Sequence, residues 1–132
     1  LTLHISAIGL NYKTQRLFRY RKFDDDNPAS TQGSSLLSYR SGVGKPSVEI
    51  QVIDFISFLK NLKEKIVLLK IDIEGTEIEI LREIINHDFR NSIDKIFVET
   101  HERFSHNLGV ETAKLKLRIK KMNIKNINLD WV

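Results

Sequence analysis

The sequence predicts an α/β fold built on a mainly parallel sheet, and three observations carry that expectation. From Ser47 onward, strand-like and helix-like hydrophobic patterns alternate: strand, helix, strand, helix, strand, helix, strand. Alternation of this kind implies parallel strands joined by crossover helices. The run Ile66, Val67, Leu68, Leu69, Ile71 has the composition of a strand buried on both faces. An acidic turn with Asp72, Glu74 and Gly75 follows directly, and then Ile78, Leu81 and Ile85, with Ile80 and Ile84 beside them, recur at helical spacing. Open α/β sheets bind ligands beyond the carboxyl ends of their strands, so Asp72 and Glu74 stand where chemistry is expected.

Taken in order, Leu1 to Ile8 reads as a strand ending at Gly9, with His4 as a packed or surface side chain. Gln15 to Lys22 reads as a second strand, because Leu17 and Arg19 alternate with Phe18 and Tyr20. Asp24 to Ser35 is a loop by composition, and its three consecutive Asp residues read as a solvated acidic turn. Gly42-Val43-Gly44-Lys45 is not a phosphate loop, since Tyr39 and Pro46 occupy two of that motif's defining positions. In Ser47 to Ile53, Val48, Ile50 and Val52 alternate with Glu49 and Gln51, the mark of a half-buried strand. Asp54 can cap a helix through about Lys65 that turns Phe55, Phe58, Leu59 and Leu62 inward. Thr76 and Glu79 have the spacing of a capping box at the start of the next helix, which ends near His87. Ile93 to Thr100 is a strand, Gly109 precedes a helix from Val110 to Met122, and Ile124 to Val132 is a last strand.

The 132 residues show no internal repeat and no linker, which suits one domain. With no Cys, disulfides, thiol chemistry and Cys metal sites are excluded, and a reducing, cytoplasmic setting fits. No apolar run is long enough to span a membrane, and no signal peptide is evident. The net charge of +4 is concentrated in two clusters, Lys13 to Lys22 and Lys114 to Lys125. They read as solvated faces of a strand and a helix rather than a nucleic-acid surface, because no aromatic residues are interleaved as stacking platforms. His101 and His106 are five apart, not the four of a zinc-protease helix, and no residue is assigned as a metal ligand.

The segment Leu69-Lys70-Ile71-Asp72-Ile73-Glu74-Gly75-Thr76-Glu77, followed by Leu81, resembles the signature of FkbM-like methyltransferases. Phe97 to Glu102, Asn128 to Trp131 and the strand from Val48 to Asp54 are similar to the same family. The resemblance implies a Rossmann-like class I methyltransferase fold that uses S-adenosylmethionine. Members of that family begin with a strand and a Gly-rich turn for the cofactor, then a strand ending in an acidic residue for its ribose. Neither is found here, and the chain begins at Leu1 directly in a strand-like segment. On this expectation residues 1–132 are a single partial domain, N-terminally incomplete, lacking the cofactor-binding strands. Leu1 to Ile8 would be the family's third strand, detached or paired with a neighbour it lacks in the full protein, with Ser6 and Ala7 lining the adenine. The isolated chain would then bind the cofactor weakly and be inactive alone.

The expected activity, by resemblance, is methylation of a hydroxyl on a small molecule or glycan. A carboxylate beyond a strand end can orient a hydroxyl, accept its proton or face the sulfonium charge, and Asp72 is placed for both acceptor and cofactor. Its other reading is as a cap of the turn or helix. Glu74 divides between site residue and helix-dipole partner, and Glu77 is read as a dipole partner. Gly75 is expected to supply a positive φ or a close backbone approach. Glu99 and His101 end the neighbouring strand and are expected to face Asp72, with His101 the candidate base near neutral pH or a surface His bonded to Glu99. Two other classes stay open: a non-catalytic module binding anionic partners through its basic faces, and a metal-dependent hydrolase built on Asp72, Glu74 and Glu99.

Overall fold

The computed structural model describes residues 6–11 and 13–131. Most of the segment Leu1 to Ile8, with His4, lies outside them, and its described end forms a short strand β1, Ala7–Gly9. The elements that follow are β2 (Lys13–Tyr20), β3 (Val43–Asp54), α1 (Phe55–Asn61), β4 (Ile66–Ile71), α2 (Glu77–Asn86), β5 (Ile93–Val98), α3 (His106–Lys121) and β6 (Ile127–Asn128). They are the strands and helices that the hydrophobic periodicities mark, in the expected order.

The sheet is not continuous among the described residues. One three-stranded sheet has the order β1-β3-β2 and another the order β4-β5-β6. β1–β3, β4–β5 and β5–β6 are parallel, whereas β2–β3, the longest ladder, is antiparallel. The expectation of a mainly parallel sheet therefore describes the second sheet and corrects to a mixed arrangement in the first. The difference has a local cause. β2 and β3 are joined by a loop that returns the chain beside itself without a crossover helix, and their cross-strand pairs suit each other. Arg16 lies opposite Glu49, Leu17 opposite Val48, and the Gln51 amide donates to Thr14 Oγ1 at 3.1 Å.

α1 begins where expected. The Asp54 carboxylate accepts from the Ser57 N–H at 3.0 Å and from its hydroxyl at 2.8 Å, and the backbone bond holds the Asp54 carboxyl below its ordinary range. Phe55, Ile56 and Leu59 are buried, but the helix stops at Asn61, and Leu62 turns extended and exposed instead of inward. Lys63, Glu64 and Lys65 have no apolar face to continue it.

β4 also departs from expectation. It lies at the edge of its sheet, and Val67 and Leu68 are exposed, so the strand is not buried on both faces among the described residues. Its apolar composition reads equally well as one buried face and an open edge. α2 has the buried face its spacing demands: Ile78, Ile80, Leu81, Ile84 and Ile85 enter one core with Phe55, Ile56 and Leu59 from α1, Ile71 from β4, Ile93, Ile96 and Val98 from β5, and Leu115 from α3. α3 starts four residues before Val110, because Ser105 caps it by accepting from the Leu108 N–H at 3.1 Å, and Gly109 lies inside the helix. Leu108, Thr112 and Leu115 form its buried face, and the basic side chains of its last turn face solvent at the negative end of the helix dipole. The final strand is shorter than its hydrophobic pattern suggested, with only Ile127 and Asn128 paired to β5.

Leu81 is fully enclosed at the centre of this core. Leu81→Ala is expected to lower unfolding free energy by about 3 kcal/mol, within the range for a buried Leu whose cavity cannot collapse. Urea denaturation of the two proteins checks it, and a loss below about 1 kcal/mol would place α2 outside the core.

Candidate functional site

The register of β4 against β5 decides what meets at their carboxyl ends. Ile71 pairs with Val98, and the Glu99 N–H donates to the Ile71 carbonyl at 3.0 Å, so the ladder runs to the point where both strands stop. Asp72 and Glu74 leave from one strand and Glu99 and His101 from the other. His101 Nε2 lies 3.2 Å from Glu74 Oε2, 3.8 Å from Glu99 Oε1 and 3.9 Å from Asp72 Oδ1. The structure thus brings together Asp72, Glu74, Glu99 and His101.

The turn that carries Asp72 and Glu74 is strained and held from several sides. Glu74 and Gly75 both have positive φ, 62° and 124°. At Gly75 a Cβ would also meet Leu37 Cδ1 at 2.8 Å, so both the backbone angle and the close approach require glycine. Glu74 has no such freedom and is over-determined by its partners. The Ser35 hydroxyl donates to its carbonyl at 2.6 Å, and the Arg40 guanidinium is hydrogen-bonded to its carboxylate.

The expected capping box does not form. Thr76 has φ −99° and ψ 6°, makes no side-chain cap, and its Oγ1 is buried without a partner. The helix entry is held instead by Glu77, which folds back onto the turn. Its carboxylate accepts from the Ile73 N–H at 3.1 Å and from the Gly75 N–H at 3.0 and 2.9 Å. The same carboxylate receives His101 Nδ1 at 2.8 Å. Glu77 is therefore far more than a partner of the helix dipole: it is 1% exposed and among the most deeply enclosed side chains described.

His101 is not a surface residue bonded to Glu99. It is 4% exposed, its Nδ1 is given to Glu77, and its ring stacks on Phe104 at 5.4 Å. Burial is the largest influence on it and disfavours its charge, but the hydrogen bond to Glu77 and the carboxylates of Glu77, Glu74 and Glu99 outweigh burial and raise its pKa above 6.5. Burial likewise pushes Glu77 up, and the bonds from His101 and the Gly75 N–H outweigh it and hold the carboxyl below 4.5. Both directions favour the charged forms of one buried His–Glu pair.

Ser6, Ala7 and Asp72 line one cleft of about 430 Å³, together with Ile73, Glu74 and Thr76 and an apolar surface from Leu17, Leu36 and Ile50. The cleft lies between residues of the first sheet and the acidic turn. Asp72, Glu74 and His101 also offer ligand atoms within 4.8 Å of one another, a composition compatible with a divalent cation. Here Arg40 already supplies a positive charge to Glu74, and His101 is held by Glu77.

Sequence reasoning missed Ser35, Arg40 and Phe104 and undervalued Glu77. Arg40 is 5% exposed, its guanidinium lies 3.9 Å from the Phe104 ring, and it donates to the Gly33 carbonyl at 2.8 Å. A lone Arg in a polar segment gives no periodic signal. For Glu77, its place two residues after a glycine with positive φ was the available sign that its side chain could turn back.

The pair fixes a pH dependence. His101 has a raised pKa, so its contribution to stability is complete below 6.5 and is lost as pH rises through its folded value. Glu77 has a lowered one, so its contribution is complete above 4.5 and is lost as pH falls through its folded value. The gap in urea midpoint between wild type and His101→Gln is expected to be widest between pH 4.5 and 6.5 and to narrow as pH rises further. A gap that widens steadily from pH 6 to 9 would show that His101 is buried neutral.

With this geometry in place, comparison with known proteins identifies the family. No curated protein and no solved structure matches the chain significantly. The family described as the methyltransferase FkbM domain matches residues 5–123, which include both strand ends, the turn, Glu77 and His101. The chain belongs to the FkbM methyltransferase domain family.

Proposed function

We propose that the chain serves an S-adenosylmethionine-dependent methyltransferase that methylates a hydroxyl on a small molecule or glycan. The observation that carries this reading is the convergence of Asp72, Glu74, Glu99 and His101 beside the cleft that Ser6 and Ala7 also line. The family supplies the reaction class, and the site supplies groups suited to it.

In such a transfer the acceptor oxygen attacks the methyl carbon in line, the carbon–sulfur bond breaks to leave a thioether, and the hydroxyl proton passes to a base. The protein's share is placement and proton removal. Asp72 is the exposed carboxylate on the cleft and is the group an acceptor hydroxyl would meet. Its cationic neighbours are the solvent-exposed Lys70 at 3.8 Å and, through His101, the enclosed pair with Glu77. Glu74 and Glu99 flank His101 Nε2 at the strand ends, so His101 faces Asp72 at 3.9 Å and helps to place its carboxylate beside the cleft. Where the cofactor lies in the cleft, Ser6 and Ala7 are the small residues that would accept a flat ring.

Asp72→Asn keeps shape and removes charge. In the intact protein its turnover with S-adenosylmethionine and a hydroxylated acceptor is expected to fall by on the order of a hundredfold or more, with the thermal midpoint little changed. Unaltered turnover would return Asp72 to capping the turn. Titration calorimetry with S-adenosylmethionine tests the cofactor separately: absence of binding by the intact protein removes this reading.

A further inference from the structure

We propose that Glu77 is the positioning residue of this site: a carboxylate that never meets substrate and sets the spacing between the Asp72–Glu74 turn and the Glu99–His101 segment. For its kinetic consequence the inference rests on the methyl-transfer reading; for its geometry it rests on contacts alone.

Those contacts are of two kinds. Through the Ile73 and Gly75 N–H groups, Glu77 grips the backbone on either side of Glu74, and so fixes where Asp72 and Glu74 point. Through His101 Nδ1 it grips the strand end that carries Glu99. One carboxylate bridges two strand ends that are also joined by the bond from the Glu99 N–H to the Ile71 carbonyl and by His101 Nε2 beside Glu74. The bridge also assigns the protons. A carboxylate on Nδ1 requires an N–H there, which leaves Nε2 to face Glu74, Glu99 and Asp72. Three carboxylates around Nε2 favour a proton on that nitrogen too, so the ring bears two N–H groups between two acidic layers.

Among the described residues, the charged groups facing His101 belong to this scheme. Glu77 comes from α2, Asp72 and Glu74 from the turn after β4, and Glu99 from the end of β5. Arg40 lies on Glu74 and on the Phe104 ring that stacks against His101, and Arg103 lies on Phe104 and 3.5 Å from Glu99. Only Glu77 reaches Nδ1 among these groups, and the surrounding cations approach the other acids rather than Glu77. Removing its charge therefore leaves a specific signature and not a general loss of acidity.

Glu77→Gln retains one carbonyl oxygen for the N–H donors but loses the charge. In the intact protein kcat is expected to fall by on the order of a hundredfold with KM for S-adenosylmethionine nearly constant, and His101 should titrate lower than in the wild type, followed by NMR of its ring. Unchanged kcat together with an unchanged His101 titration overturns the proposal. Should the variant fail to fold, nitrogen-15 shifts of His101 in the wild-type chain decide the geometry: a proton retained on Nδ1 up to high pH supports it, and a neutral ring protonated on Nε2 alone overturns it. A wild-type protein with no methyl transfer would sink the reaction assigned above, while these shifts would still report on Glu77.

Discussion

A carboxylate buried beneath the carboxyl ends of two parallel strands is the constraint on which the rest of this site depends. Ionised Glu77 in the interior is costly unless it is bonded on every side. It is enclosed by donors of two kinds: backbone N–H groups of the turn beside it and a ring nitrogen from the next strand. Each depends on the other. Without His101 the carboxylate loses its charged partner, and without the turn's N–H groups it loses the bonds that offset its burial. Removing either half of such a pair leaves an uncompensated charge and costs more than the pair contributes. A turn with two residues at positive φ can persist here because Glu77 binds the N–H groups that such a turn directs inward.

The second requirement is met from far along the chain. Ser35 and Arg40 come from the loop between β2 and β3 and reach Glu74, 39 and 34 residues away. Leu37, from the same loop, packs where a side chain at Gly75 would stand. The loop that joins the antiparallel pair of the first sheet thus ties that sheet to the acidic turn of the second. The two sheets share no strand ladder among the described residues, and this loop with its buried Arg is one of the links between them.

Much of this was legible in the sequence, and what was not has a physical cause. The periodicities of Val48 to Val52 and Ile78 to Ile85 announced β3 and α2 because burial on one face repeats with the period of the element. Polar residues placed just after apolar strands announced Asp72, Glu74, Glu99 and His101. The direction of β2 against β3 was hidden, since alternation marks a strand but not its partner. Thr76 and Glu79 had the spacing of a capping box and still formed none, because Thr76 sits at φ −99° and ψ 6° and not in the extended geometry of an N-cap. Arg40 was illegible for a different reason: its role is a contact across dozens of residues, and no local pattern encodes such a contact.

The positive charge around the site falls into an inner and an outer group. Arg40 and His101 are buried, close to their acids and part of the fold. Lys70 and Arg103, beside Asp72 and Glu99, are more than half exposed and lie at 3.8 and 3.5 Å, where an ion pair contributes little and is screened by salt. The inner pairs hold the carboxylates in place, and the outer ones yield at small cost. Rigidity and exchange are thereby assigned to different shells of charge, and the boundary between them runs through Asp72, with one oxygen 3.9 Å from a buried imidazole and the other 3.8 Å from a solvated ammonium.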